Sequence, residues 1–317
     1  MTDGQSPAVE DDEVLGKARR FGRQNLLILA AQLVAWVSLI SLLHQDISNW
    51  LKVAVLIAFC LVMQGVFSMM HECFHRHAHP NRRINWFVGW LVSAIFGTSY
   101  TLFRINHHGH HERNRTKAEL VDYIYPDESP VRKIVLYYTG ILGGIWLSGF
   151  VGALVLPLLP YRVARLLAAR SEDNTYLTAF RDFSASDWNM MRLELALGLI
   201  FWIIAIRTFG WSWVPLLVAY LAFAFSWSWL QWVYHVRSPI DVVEGAYNLR
   251  LALPIRWLFL NFNYNLTHHR DASYHWQELH AVSNQAETQP LRYRLIRMVL
   301  PPQQIPDDAS TITKTYF

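Results

Sequence analysis

The sequence predicts an all-α membrane protein with about four transmembrane helices, further re-entrant or interfacial helices, and a histidine-rich cytoplasmic cap. Hydrophobic residues make up 53% of the 317 positions and charged residues only 16%, which is too apolar for an ordinary soluble domain. Several apolar stretches reach or approach the roughly 20 residues that a helix needs to cross a bilayer. Of the 14 histidines, eight lie between His71 and His111 and four between His268 and His280.

Four apolar stretches are predicted to be simple crossings, at residues 25–43, 52–70, 193–209 and 213–233. Lysine and arginine cluster before, between and after them, but are rare in the two short links that join each pair. By the positive-inside rule those two links face outward and both chain termini face the cytoplasm. This topology brings His71 and His235 to the cytoplasmic membrane surface.

Two further apolar stretches, 86–103 and 134–160, are flanked by basic segments and are therefore not predicted to be simple crossings. Glycines in both would suit re-entrant, interfacial or hairpin structures. We expect a cytoplasmic segment at 1–24, a membrane domain at 25–285 and a polar cytoplasmic tail at 286–317.

The first 24 residues are polar and acidic, so no cleavable signal peptide is expected. Neither Cys60 nor Cys73 is placed for a disulfide framework. The net charge of +4 is explained by membrane orientation, and no nucleic-acid partner is expected. We expect a multi-pass protein of a bacterial inner membrane.

The histidines have the spacing of metal ligands on helices. In the first segment His71 and His75 are four residues apart, and in the second His107 precedes the pair His110-His111. Residues three and four positions apart share a helical face, so these imidazoles can share a metal. The third segment has a His268-His269 pair.

His235 lies at the end of the last crossing, with Gln231 one turn earlier. Isolated histidines such as His44, His77, His108 and His280 are more simply explained as surface or packing residues. His79 and His275 stay open between the two interpretations.

Eight imidazoles exceed the three or four protein ligands of one zinc ion, so the count predicts two ions. Imidazole suits iron, copper and zinc alike. A redox-active pair would supply electrons for splitting dioxygen, which zinc cannot. Glu72, Glu112 and Asp122 are then candidates to accept hydrogen bonds from ligating histidines, or are solvated interfacial charges.

The pattern resembles the integral-membrane fatty acid desaturase and hydroxylase superfamily, with its histidine boxes HxxxH, HxxHH and HxxHH. His71 and His75 match the first box, and His107, His110 and His111 match the second. The resemblance covers roughly residues 25–285. It implies a mushroom-shaped fold, two Fe²⁺ ions in the cap, and a further histidine ligand, here His235.

The third box departs from the pattern because Asn265 stands where the family usually has histidine. Asn265 would ligate through its carbonyl oxygen, act through water or leave an open position. The predicted ligands are His71, His75, His107, His110, His111, His235, His268, His269 and Asn265. Additional or supporting residues are His79, Gln231, Glu72, Glu112, Asp122 and His275.

The resemblance implies a membrane di-iron oxidase that acts on a lipid alkyl chain with dioxygen, most simply a fatty acyl desaturase. A lipid hydroxylase, a carotenoid ketolase or hydroxylase, and a decarboxylase that forms a terminal alkene remain alternatives. Electrons would come from a separate ferredoxin or cytochrome b5 type carrier. The basic residues Arg113, Arg115, Lys117, Arg132 and Lys133 either form its docking surface or serve only topology.

Two other classes compete with the oxidase. His71-Glu72 and His75 match the HExxH motif of zinc metalloproteases, but the other boxes would then have no role. A metal carrier or haem protein would place histidines at mid-depth in the spans, whereas these lie at span ends.

Overall fold

The computed structural model describes residues 7–170 and 176–307, and the described chain is mainly helical. The helices are α1 Pro7–Leu43, α2 Asn49–Phe74, α3 Arg82–Phe96, α4 Tyr100–Arg113, α5 Pro130–Thr139, α6 Ile145–Val155, α7 Tyr161–Arg170, α8 Ala185–Phe209, α9 Trp213–Val233, α10 Leu253–Leu258, α11 Asn265–Arg270, α12 Trp276–Val282 and α13 Leu291–Met298. Four two-residue strands, β1 Tyr123–Ile124, β2 Leu249–Arg250, β3 Gln289–Pro290 and β4 Gln303–Gln304, form the parallel pairs β1–β4 and β2–β3. The predicted all-α membrane class is confirmed.

Five helical segments in the described part of the chain are long and apolar enough to cross a membrane. They are Gly16–Leu43, Asn49–Phe74, Pro130–Leu158, Ala185–Phe209 and Trp213–Val233. Four of them contain the crossings predicted from the sequence. The fifth covers most of the stretch 134–160, which the sequence does not predict as a simple crossing. A π-helical turn there, Gly140–Gly144, joins α5 to α6. Gly143 has φ of 114° there, which glycine adopts without the steric penalty of a Cβ atom.

The stretch 86–103 is divided between two helices. α3 and α4 meet at an angle of 97°, after Gly97 ends α3 with φ of 89°. The Ser99 hydroxyl then caps α4 by accepting a hydrogen bond from the backbone N–H of Leu102 at 3.1 Å. This sharp bend agrees with the expected re-entrant or interfacial structure.

The two links predicted to face outward meet each other. His44 Nδ1 donates to the Ile40 carbonyl at 2.8 Å, and its Nε2 accepts from the Ser212 backbone N–H at 2.8 Å. The α1–α2 and α8–α9 links therefore lie at the same end of the bundle, and His44 is a packing residue between them.

An aromatic core joins the spans. Phe223 of α9 meets Phe59 of α2 and Phe96 of α3 edge to face, at centroid distances of 6.4 and 5.4 Å. Such pairs add stability beyond the area they bury. The outer faces carry exposed apolar side chains such as Val34 and Ile203, which suit contact with lipid.

The C-terminal residues 286–307 belong to the segment predicted as a polar tail, and some of them pack against the rest of the chain. Met298 of α13 is fully buried, and its carbonyl accepts a hydrogen bond from the Tyr137 hydroxyl at 2.6 Å. Ile305 packs beside Leu120 after β4. A few buried side chains between polar residues hold this segment against the rest of the chain. They form no long apolar run in the sequence.

Candidate metal centre

Five histidines from three parts of the chain converge where α2, α4 and α11 meet. His71 lies in the last turn of α2, His75 directly follows that helix, and His268 lies in α11. His107 and His111 are one turn apart on α4. One ring nitrogen from each lies within 4.8 Å of the others. We call these five residues the His71 group.

The ring nitrogens of this group lie in direct contact with one another. The Nε2 atom of His107 is 2.8 Å from that of His75 and 3.0 Å from that of His111. The Nε2 atom of His111 is also 3.0 Å from that of His268. An imidazole nitrogen carries either one hydrogen or one lone pair in the ring plane, so one nitrogen cannot hydrogen-bond well to two others. Lone pairs directed at a shared cation satisfy all four rings.

The spacing also fits a metal ion. With metal–nitrogen bonds of about 2.1 Å and an angle of about 90° between them, two ligand atoms lie about 3.0 Å apart. The three observed separations span 2.8–3.0 Å. The Nε2 atom of His71 is buried without a hydrogen-bond partner among the described residues, as expected for a nitrogen whose lone pair is reserved for a metal.

Three more histidines form a second group beside the first. His110, His235 and His269 each bring a ring nitrogen within 4.8 Å of the other two, and we call them the His110 group. The rings of His269 and His111 have a centroid distance of only 4.7 Å, so the two groups adjoin. The eight predicted histidine ligands thus divide into sets of five and three.

Two members of the His110 group are oriented by outside acceptors. His110 Nδ1 is 2.6 Å from Glu119 Oε2, and His235 Nδ1 donates to the Gly245 carbonyl at 2.9 Å. An acceptor at Nδ1 keeps the proton there and leaves the Nε2 lone pair free, as in many metal sites.

Burial favours the neutral imidazoles that metal binding requires. Desolvation, followed by the neighbouring His111, lowers the pKa of His75 to about 2. Desolvation, followed by nearby imidazoles, also lowers the pKa of His235, His268 and His269 well below the usual value. These rings are therefore uncharged at neutral pH.

Two amide side chains about one turn before His235 and His268 also carry unpartnered polar atoms. The Asn265 Oδ1 atom is buried at the start of α11, and the Gln231 Nε2 atom is buried in α9. Neither has a hydrogen-bond partner within residues 7–170 and 176–307. An unpaired buried amide is costly, so both are compatible with groups that contact an ion or its bound water. A ligand role for either residue stays a prediction.

Several predicted supporting residues have other contacts. Asp122 accepts from the Arg115 guanidinium and from the Arg237 backbone N–H, both at 2.6 Å, and not from a histidine. Glu112 is exposed on α4. His79 Nδ1 accepts from the Asn81 backbone N–H at 3.0 Å, which makes His79 part of a turn.

The other two candidates, Glu72 and His275, lie together near the centre but outside both groups. With His77 they form a third set of possible ligand atoms. Glu72 Oε1 is 3.8 Å from His71 Nδ1, beyond hydrogen-bonding distance.

Sequence reasoning missed two carboxylates. Glu119 follows α4 by six residues in a loop, where no periodicity links it to His110. Glu194 lies within α8 but reaches the start of α4, where it accepts from the Ser99 hydroxyl at 2.6 Å and the Thr101 hydroxyl at 2.7 Å. A carboxylate is favourable at a helix N-terminus, so Glu194 helps to fix the helix that carries the second box.

The basic residues considered either as a docking surface or as topology signals are largely neutralised. Four of them form ion pairs: Arg113 with Asp182, Arg115 with Asp122, Lys117 with Asp127 and Lys133 with Glu128, at 2.6–2.8 Å. Arg132 is exposed. Paired charges create little long-range attraction, so these ion pairs weaken the attraction of this surface for an acidic carrier.

A sequence model described as fatty acid desaturase matches residues 48–300, about four-fifths of the chain. The chain belongs to the fatty acid desaturase family. The matched part contains every histidine of both groups, and membership implies oxidoreductase activity for this desaturase-family protein. No curated protein matches the chain.

The observed site of this desaturase-family protein differs from a zinc protease site built on the HExxH motif. His71 and His75 lie among three further histidines rather than at a three-ligand site. A catalytic zinc has three protein ligands and keeps a position open for water. The crowding of imidazoles does not favour a protease.

Proposed function

We propose that this protein is a membrane di-iron oxidase that desaturates a fatty acyl chain, using dioxygen and electrons from a separate carrier. The observation that carries the proposal is the division of eight buried or half-buried histidines into adjoining sets of five and three. Two sets suit two ions, and neutral imidazoles suit iron. Membership in the fatty acid desaturase family favours iron over zinc or copper.

The residues proposed to hold the ions are the His71 group, the His110 group and Asn265. Bound iron would supply the one-electron and dioxygen chemistry that removal of hydrogen from an unactivated methylene requires. The protein's part is to orient the ligands, through Glu119 and the Gly245 carbonyl, and to exclude water. Gln231 lies one turn before His235 and is proposed to contact the same region.

An alkyl substrate is supported by the aromatic side chains packed around His71. Phe262 and Phe67 pack against the His71 ring at centroid distances of 5.0 and 6.5 Å. Trp227 packs on Phe67 in turn, at 5.1 Å. These rings offer an apolar and water-poor surface next to the ligands, which suits a hydrocarbon chain.

The positive-inside pattern supports a cytoplasmic position for the metal centre and both termini. Electrons are then proposed to arrive from a cytoplasmic carrier of the ferredoxin or cytochrome b5 type. Four of the five basic residues considered for docking form the ion pairs described above. The fifth, Arg132, is exposed.

Elemental analysis of the full chain purified in detergent tests the proposal. Close to two irons per chain, and new double bonds in lipids incubated with dioxygen and a reduced ferredoxin, are the expected results. New hydroxyl groups without double bonds would show that the activity is hydroxylation and not desaturation. One zinc without iron would overturn the oxidase.

A further inference from the structure

A third set of metal-ligating atoms lies beside the centre, on the opposite side of Glu72 from His71. It consists of the Glu72 carboxylate, His77 and His275, which we call the Glu72 group. One ligand atom from each lies within 4.8 Å of the other two. The group joins the end of α2, the α2–α3 link and the start of α12.

The local backbone brings His77 back over Glu72. Arg76 has a left-handed φ of 63°, and the His77 N–H donates to the Glu72 carbonyl at 2.8 Å. This is the turn that commonly ends a helix, although glycine usually occupies the left-handed position. The Nδ1 atom of His77 lies 3.8 Å from Glu72 Oε2, too far for a hydrogen bond.

His275 carries an unpartnered ring nitrogen and lies beside His77. Its ring hydrogen-bonds to the backbone of His77 and stacks on the His77 ring at a centroid distance of 4.3 Å. Its Nδ1 atom is buried and has no hydrogen-bond partner in the described chain. One nitrogen tied to backbone and the other left free is the arrangement of a metal-binding histidine.

The Glu72 carboxylate is poorly compensated without a cation. The side chain is 5% exposed, and it accepts a long hydrogen bond, 3.3 Å, from the Trp276 backbone N–H. A buried carboxylate needs close partners or a bound cation to offset its loss of water. A cation placed between Glu72, His77 and His275 would meet that need.

Other contacts hold the two histidines in place before any ion binds. The Asn25 amide of α1 donates to the His77 carbonyl at 3.2 Å, and the Asn25 Oδ1 accepts from the Trp276 indole at 2.9 Å. One side chain thereby fixes both the α2–α3 link and the start of α12. A binding site held by supporting residues loses less entropy when the ligand arrives.

We propose that Glu72, His77 and His275 bind a third metal ion, a divalent cation of the zinc class, separate from the two histidine groups. Two imidazoles and one carboxylate form a known zinc ligand set that leaves a position for water. Ligand atoms around a tetrahedral zinc lie about 3.4 Å apart, close to the 3.8 Å between His77 and Glu72. Both histidines are half-buried, so the ion can enter from the aqueous side. The ion would cross-link the end of α2 to the start of α12.

The test is the zinc content of the full chain in detergent after equilibration with Zn²⁺ and removal of the unbound ion. His77→Ala and His275→Ala should each hold one zinc fewer per chain than the unaltered protein. His280→Ala is the matched control, because His280 is an exposed residue of α12, the helix that His275 caps. This variant should hold as much zinc as the unaltered protein. Unchanged zinc in both test variants would overturn the site.

Iron content separates this proposal from the proposed function, because the zinc comparison holds whatever the other two groups bind. Iron should stay unchanged in both variants, and a parallel loss of iron would make the Glu72 group a support of the main centre instead. His275→Cys keeps a ligand atom and should retain the zinc that His275→Ala loses. Equal loss in His275→Cys and His275→Ala contradicts ligation, even if the alanine variant folds poorly.

Discussion

In the His71 group the imidazoles contact mainly one another, whereas in the His110 group two rings are tied to outside acceptors. The Nε2 atoms of His75, His107, His111 and His268 form a chain with 2.8–3.0 Å steps. His110 and His235 instead point their Nδ1 atoms at Glu119 and the Gly245 carbonyl. The first group therefore needs the proposed metal to satisfy its nitrogens, and two rings of the second are oriented in advance by contacts with the protein.

Removing one ligand from each group gives the largest expected effect. His268→Ala and His110→Ala should each lose metal from their own group and lower activity by at least about 100-fold. Removing a direct metal ligand costs more than removing a residue that only hydrogen-bonds to a ligand. Metal content and lipid oxidation are the measurements, with membrane insertion as the check on folding. Full activity in either variant would reject a shared centre.

Glu119→Gln should weaken only the His110 group. Loss of the carboxylate that orients a ligating histidine typically costs about 10–100-fold in metal affinity or activity. Chelator titration should show one ion released earlier while the other is retained. Glu112→Gln is the matched control, because Glu112 is exposed on the same helix as His110. If both variants release their ions at the same chelator concentration, Glu119 does not support the metal centre.

Acidification should destabilise the metal-free protein. The folded-state pKa of His75 is lowered to about 2, against about 6.5 for an unfolded histidine. Between these values the unfolded chain binds more protons, so the free energy of unfolding falls as the pH falls below about 6.5. Thermal unfolding measured at pH 7 and pH 5 should give the lower midpoint at pH 5. A midpoint that rises on acidification would contradict the burial of neutral imidazoles.

The smallest expected effect is that of Asn265→His. If the buried Asn265 Oδ1 atom faces an ion, an imidazole in its place should retain or raise metal occupancy, by less than about tenfold because the other ligands are unchanged. Asn265→Leu is the contrasting variant, and it should lower occupancy. The same occupancy in both variants would show that Asn265 lies outside the ligand set.

From the residues alone, the membrane class, four of the five candidate crossings and the eight clustered histidines could be predicted, because apolar length and helical spacing are local properties. The partition of those histidines into sets of five and three was not predictable. It depends on the 97° bend between α3 and α4 and on how α11 returns to α2. Glu119, Glu194 and the third set at Glu72 likewise emerge only when segments far apart in the chain meet. The packed segment 286–307 depends on a few buried side chains such as Met298, whose burial is decided by the rest of the cap.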